Sequence, residues 1–177
     1  MLIARSSVEC QLYMDLHACS CGETKFEAEH VLREDQEGRL LAVYAGSCAR
    51  CGLPRQFTFE LDEAIPPSPP AFGGPTASRI ICPGEFLLVA EQAAASVALV
   101  PVAGADQDDR DRLSVATAVE AVTEVLKFIP DSMDAVPADA FTSAVGRAAY
   151  TREPGRFTRA RLEATASAYR EALAARL

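Results

Sequence analysis

Four cysteines in two tight pairs are the residues of this sequence with the clearest chemistry. Cys19-Ser-Cys21-Gly22 is followed by Cys48-Ala-Arg-Cys51-Gly52, with 26 residues between Cys21 and Cys48. A thiolate is a soft anionic donor, and four of them complete the tetrahedron of a structural zinc site. The glycine just after each pair permits the left-handed backbone that such turns often require. Four bound sulfurs leave no position for water, so the expected site, Cys19, Cys21, Cys48 and Cys51 around Zn²⁺, is structural and not catalytic. Zinc ranks ahead of iron because no redox partner motif is visible. Disulfides and reduced core thiols are the competing uses of these cysteines. The segment Met1-Leu-Ile-Ala-Arg-Ser-Ser has no basic stretch leading into a long apolar one. The expected compartment is therefore the reducing cytoplasm, where close cysteine pairs more often hold metal.

Other residues carry weaker signals. His17 stands two residues before Cys19 and could act as a ligand or donate to a thiolate. A histidine at a helix end is the plainer reading. His30 falls on the strand face of Phe26 and reads as a satisfied side chain. Cys82 precedes Pro83-Gly-Glu at an expected helix start, where a thiol's pKa drops. A nucleophile also needs a base, and the chain has only two histidines. Cys82 and Cys10 are accordingly read as a cap or core thiols. Asp106, Asp108, Asp109 and Asp111 lack the glycine and distal glutamate of a calcium loop and read as a solvated helix start. Arg152, Arg156 and Arg159 fall near one helical face beside Phe157 and could contact an anion or an acidic partner. Pairing with acidic residues of the same chain is the plainer reading.

Local patterning places these residues. Ser6-Ser-Val-Glu9 has the form of a capping box, and Val8, Leu12 and Leu16 follow at helical spacing, predicting a helix over about 7–16. Phe26, Ala28 and His30 alternate with charged residues as in a half-buried strand. A turn at Asp35–Gly38 leads to a second strand over 39–45, and 55–61 forms a third with Phe57, Phe59 and Leu61 on one face. Pro66, Pro67, Pro69, Pro70 and Pro75, with Gly73 and Gly74, mark an irregular connector. Helical patterns follow at 85–95, from about 108 to 129, from Pro137 with Phe141, Val145 and Ala148 inside, and at about 158–176. A loop is expected over Pro101–Asp106. Val115, Val119, Val122, Leu126 and Ile129 form the core-facing stripe of the long helix.

The resulting expectation is an α+β chain: a short helix plus a three-stranded antiparallel zinc ribbon over 1–63, a Pro/Gly-rich connector over 64–78, and four to five helices over 79–177. The order of knuckle, two strands, knuckle and strand over about residues 17–61 resembles the zinc-ribbon class. Most ribbons place two residues between paired cysteines, and the first pair here has one. Cys-x-Cys-Gly with a later Cys-x-x-Cys is also similar to the formaldehyde-activating, glutathione-dependent zinc-ribbon family. That family carries further cysteines for a second zinc, and here only Cys10 and Cys82 remain.

The totals bound the function. The chain has 177 residues, 49% hydrophobic and 24% charged, as ordinary globular domains do. Net charge −8 argues against bulk attraction to nucleic acid or an anionic membrane. The charge is segmented: 6 basic and 9 acidic groups in 1–60, 4 and 13 in 61–145, and 7 and 3 in 146–177. No apolar run reaches the roughly 18–20 residues that span a membrane. The leading expectation is a non-catalytic, zinc-stabilised module that binds a protein partner, for example an intracellular immunity or inhibitor protein acting on a bacterial toxin. The alternatives are a nucleic-acid-binding ribbon using the arginine-rich C-terminal segment and a small zinc enzyme like the formaldehyde-activating family.

Overall fold

A computed structural model describes residues 1–97 and 105–176. The chain divides into two compact units: Met1–Pro67 with Phe72–Gly74 and Ser78–Ile80, and Ser68–Ala71, Pro75–Ala77 with Ile81–Leu177.

The first unit holds four strands, β1 (Leu2–Ala4), β2 (Phe26–Glu34), β3 (Leu40–Cys48) and β4 (Pro54–Leu61), and one helix, α1 (Ser7–Leu16). The strand order is β1-β4-β3-β2. β2, β3 and β4 are antiparallel neighbours, whereas β1 lies parallel to β4, with Leu2 opposite Phe59 and Ala4 opposite Leu61. The sheet is thus four-stranded and mixed, which corrects the three-stranded antiparallel expectation. Three residues are too few to show alternation, and β1's partner lies far along the chain, so neither signal was available locally. Cys10, Met14 and Tyr13 of α1 pack with Ala4, Ala42, Tyr44 and Phe59 on one face of the sheet, with Phe26, Ala28 and Phe57 at the margin. Phe59 is fully buried, which alone contributes about 1.5–3 kcal/mol.

The capping signature at Ser6 forms by half. Ser6 Oγ accepts from the amide of Glu9 at 3.0 Å. The Glu9 carboxylate instead receives the amide of Arg5 at 2.7 Å and its guanidinium at 2.6 and 3.0 Å. Ser6 Oγ also donates to the carbonyl of Phe72 at 2.6 Å, tying that residue to the helix start.

Gly46 sets the spacing of β2 and β3. A Cβ there would lie 2.0 Å from the carbonyl oxygen of Glu27, a backbone atom with no rotamer to yield. Gly46→Ala is expected to cost at least about 3 kcal/mol, at or above the upper end of ordinary overpacking. Urea unfolding followed by β-sheet circular dichroism checks this; unchanged stability would mean that the hairpin relaxes freely.

The second unit contains α2 (Pro83–Ala95), α3 (Ala105–Leu126), α4 (Ala144–Arg152) and α5 (Arg159–Ala174). The loop expected over Pro101–Asp106 lies outside the described residues up to position 104, and Ala105 already begins α3. Most of the predicted stripe is buried: Val115, Val119 and Val122 are, joined by Ala118, Ala121 and Val125, whereas Leu126 is half-buried; α3 ends there, and the buried Ile129 lies beyond the helix expected to reach it. Leu162 and Ala166 of α5 are buried too.

The segment after Pro137 departs from expectation. A single 3-10 turn at Ala138–Ala140 precedes α4, because the Ser143 hydroxyl caps a new start by accepting from the Gly146 amide at 2.9 Å. Val145, expected inside, is exposed, as is Ala148. Gly146 faces inward instead. A Cβ on Gly84 would meet the Gly146 Cα at 2.5 Å, so α2 and α4 cross at backbone contact and two glycines occupy the place of a larger core pair.

Candidate metal centre

The hairpin register brings the cysteine pairs together. Asp35 organises the turn: one carboxylate oxygen accepts the amides of Glu37 and Arg39 at 2.9 Å each, and the other accepts Arg39 Nε at 2.7 Å. From there the two strands pair without interruption to Phe26 opposite Cys48. The segment entering β2 and the segment leaving β3 therefore end side by side, and each carries one pair.

Each pair sits on a tight turn. In the first, the Gly22 amide donates to the Cys19 carbonyl at 2.7 Å and the Cys19 amide to the Glu23 carbonyl at 2.8 Å. In the second, Gly52 donates to Cys48 and Cys48 to the Leu53 carbonyl, both at 2.9 Å. Gly22 and Gly52 have φ of 84° and 71°, the left-handed region where a side chain is disfavoured. Arg50 stitches the two turns, donating to the Cys21 carbonyl at 3.2 Å and approaching Glu23 at 3.5 Å.

The four sulfurs lie within 4.8 Å of one another. Cys19 to Cys51 and Cys21 to Cys48 are each 3.6 Å. A tetrahedron with metal–sulfur bonds of about 2.3 Å has edges of about 3.8 Å. The donor set and its dimensions therefore fit a metal ion held by four thiolates. Cys19 and Cys48 are buried, Cys21 is half-buried and Cys51 is exposed.

Electrostatics also favour a cation here. The amide of Cys21 pointing at the Cys19 sulfur draws that thiol down to about 6. The Cys51 and Arg50 amides lower Cys48, the Cys51 amide more strongly. Cys51 receives the Leu53 amide, yet its three sulfur neighbours together outweigh that bond and push it up to about 12. Crowding of negative charge opposes full ionisation, and a bound divalent cation would remove that opposition.

His17 is not in the sulfur group. It caps α1, its Nδ1 donates to the Tyr13 carbonyl at 2.7 Å, and its ring stacks on Tyr13 at 3.8 Å. Its own carbonyl accepts from the Arg55 guanidinium, which lies over the rings of Phe26 and Phe57. His30 stacks on Tyr44 at 4.5 Å. Cys10 is fully buried, and burial foremost, with Glu9 beside it, pushes its thiol up to about 12, leaving it inert at neutral pH. Cys82 is buried at the start of α2, with its amide donating to Glu85 at 2.9 Å and its sulfur 3.3 Å from Ser143 Oγ.

The three arginines do not form one group. Arg156 pairs with Glu91 and lies 3.9 Å from Glu153. The Arg159 guanidinium reaches the carbonyls of Ile129, Pro130 and Met133 at 3.2–3.4 Å. Arg152 is exposed at the end of α4. Sequence reading missed Arg50, which binds the first turn, and Arg55, which binds the His17 carbonyl at the end of α1. Arg50's place inside the second cysteine pair was the one available signal.

No family model, curated protein or solved structure matches the chain. The ribbon resemblance accordingly rests on the order of knuckles and strands, and the formaldehyde-activating one on cysteine spacing. Among the described residues no helix is long and apolar enough to cross a membrane.

Proposed function

We propose that this chain is a non-catalytic binding module whose cysteine centre is a structural zinc site. One observation carries the reading: four sulfur donors converge within 4.8 Å, enough to fill a tetrahedron and leave no position for water or substrate. A zinc enzyme of the formaldehyde-activating kind needs an open position, and this donor set offers none. The nucleic-acid alternative relies on Arg152, Arg156 and Arg159, of which two are engaged by groups of the chain itself. A protein partner is the remaining class, in the form of an immunity or inhibitor protein acting on a bacterial protein.

X-ray absorption at the zinc edge of the purified full chain tests the premise. Four sulfur neighbours at about 2.3 Å are expected. An oxygen neighbour in place of one sulfur would overturn the structural assignment. Pull-down from the native cell, with zinc-loaded wild type against Cys48→Ser, tests the binding reading. A partner retained only by the metal-loaded form is expected. Equal capture by both forms, or salt-sensitive nucleic acid as the main captured species, would overturn it.

A further inference from the structure

The sheet of the first unit ends on a long strand. β2 runs from Phe26 to Glu34 and lies at the end of the order β1-β4-β3-β2. Among the described residues no strand flanks its other side. Natural edges are usually short, bulged, or guarded by proline or charged side chains. The opposite edge, β1, obeys this rule with three residues. β2 is long, contains no proline, glycine or lysine and pairs with β3 without a bulge along its whole length; its guard is the four charged residues Glu27, Glu29, Arg33 and Glu34.

The backbone of this edge is oriented outward in a known pattern. At the turn end the Asp35 amide donates to the Arg39 carbonyl, and at the other end Ala49 donates to Lys25. Both pairs share the register of the ladder, so odd-numbered β2 residues bond to β3. Ala28, His30, Leu32 and Glu34 therefore turn their N–H and C=O groups to the open edge. Val31 and Leu32 are 43% and 54% exposed.

The order of charges selects the strand that fits. On the face away from α1, β2 reads Glu27, Glu29, Val31, Arg33. An antiparallel strand of the same sequence, related by a twofold axis through Val31, sets Glu29 opposite the second copy's Arg33. The same axis sets Arg33 opposite the second copy's Glu29, with the two Val31 side chains between them. At the ends of the seam Glu27 comes opposite the second copy's Asp35, a carboxylate already paired with Arg39 of its own turn. On the α1 face His30 lies opposite the second copy's Leu32. Even-numbered residues then meet even-numbered residues, so the outward N–H and C=O groups form regular antiparallel pairs. A parallel copy in register would instead align Glu29 with Glu29 and Arg33 with Arg33, which is destabilising.

We propose that the chain self-associates through β2, two copies joining their sheets antiparallel about Val31 into one continuous sheet. The inference needs the sheet to be formed and does not depend on what else the chain binds.

Sedimentation equilibrium of the metal-loaded full chain tests it. The expected mass at high concentration is twice 18.9 kDa. Arg33→Glu sets two acidic pairs across the seam and is expected to weaken association about thirtyfold. Glu29→Arg alone does the same with two basic pairs. The double variant Glu29→Arg/Arg33→Glu restores both pairs and is expected to restore the dimer. Glu29 and Arg33 are exposed, so metal content and circular dichroism should not change. If a charge variant loses its fold, Val31→Lys provides the second test, placing two ammonium groups face to face and giving a monomer. A wild type that stays at the single-copy mass overturns the proposal, as does a dimer indifferent to these substitutions. Rescue of Arg33→Glu by Glu27→Arg, and not by Glu29→Arg, would place the axis on His30 and overturn the Val31 seam.

Discussion

Chelation of the metal, or Cys48→Ser, is expected to dissolve the sheet of the first unit while α2–α5 keep their helical signal. The reason is the size of the core. The fully packed set on the α1 face is Ala4, Cys10, Met14, Ala42, Tyr44 and Phe59, and three of these are small. A core of that size does not by itself offset the entropy of ordering more than sixty residues. A structural zinc supplies about 10–16 kcal/mol in small zinc modules, since a preformed site is absent from the unfolded chain. The sulfurs also close the far end of the hairpin, where beyond Phe26 and Cys48 the Ala49 amide reaches the Lys25 carbonyl at a long 3.5 Å. Without the metal the two turns retain Arg50 bonded to the Cys21 carbonyl and near Glu23, an exposed contact worth at most about 1 kcal/mol. Hydrogen exchange on the full chain, with and without chelator, reads the result by segment. Amides of β2, β3 and β4 should lose protection by orders of magnitude, and those around Val122 and Leu162 should not. Unchanged protection in β3 after complete zinc removal would show that the sheet stands on its packing. Cys51→Ser should lower metal content as Cys48→Ser does, although Cys51 is exposed, because both supply one corner of the same tetrahedron.

How much of this was legible in the sequence depends on whether the cause was local. The cysteine cluster was legible because its causes are short-range. Two pairs, each followed by glycine, frame an alternating strand and an apolar one joined by a four-residue turn, and the hairpin register follows from that turn. The α3 stripe was legible for a similar reason: Val115, Val119 and Val122 repeat at helical spacing over an uninterrupted helix. β1 was not legible, because its parallel pairing with β4 is a contact at long sequence distance. α4 was misread in rotation. Apolarity suggested Val145 inward, but close approach of Gly84 and Gly146 turned the helix so that the residue without a side chain faces α2. Hydrophobic pattern cannot report a backbone contact. The arginine group failed for a third reason. Spacing placed Arg152, Arg156 and Arg159 near one face, but carbonyls of the segment after α3, with Glu91, took up two of them separately. A guanidinium's nearest acceptors are set by tertiary structure.

Glu9→Ala is expected to be among the most destabilising single substitutions outside the metal centre, costing about 3–5 kcal/mol. The carboxylate has no exposure, and Arg5 has 6%. Three donors from Arg5 converge on Glu9: the amide, Nε and Nη2, all at 2.6–3.0 Å. Such a charge-assisted pair is stronger than neutral hydrogen bonds, but its greater effect appears when one partner is removed. Alanine would leave a guanidinium in a buried position without its carboxylate. Displacement of Arg5 is obstructed, because Gly73 packs so closely that a Cβ there would come 2.7 Å from the guanidinium carbon. Arg5 also joins β1 to α1, so its movement would disturb both the Leu2–Ala4 pairing and the Ser6 cap. Glu9→Gln keeps the shape and one acceptor but loses the charge, and should fall between alanine and wild type. The double variant Arg5→Met/Glu9→Leu removes both charges together and should cost much less than Glu9→Ala, since neither charge is left buried alone. Denaturant unfolding of the wild type and these three variants compares the losses, with zinc content as the second readout. Stoichiometric zinc should persist in Glu9→Ala under native conditions, because the sulfurs are positioned by the hairpin turns and not by α1. Equal losses in Glu9→Ala and the double variant would assign the effect to packing volume and not to the ion pair.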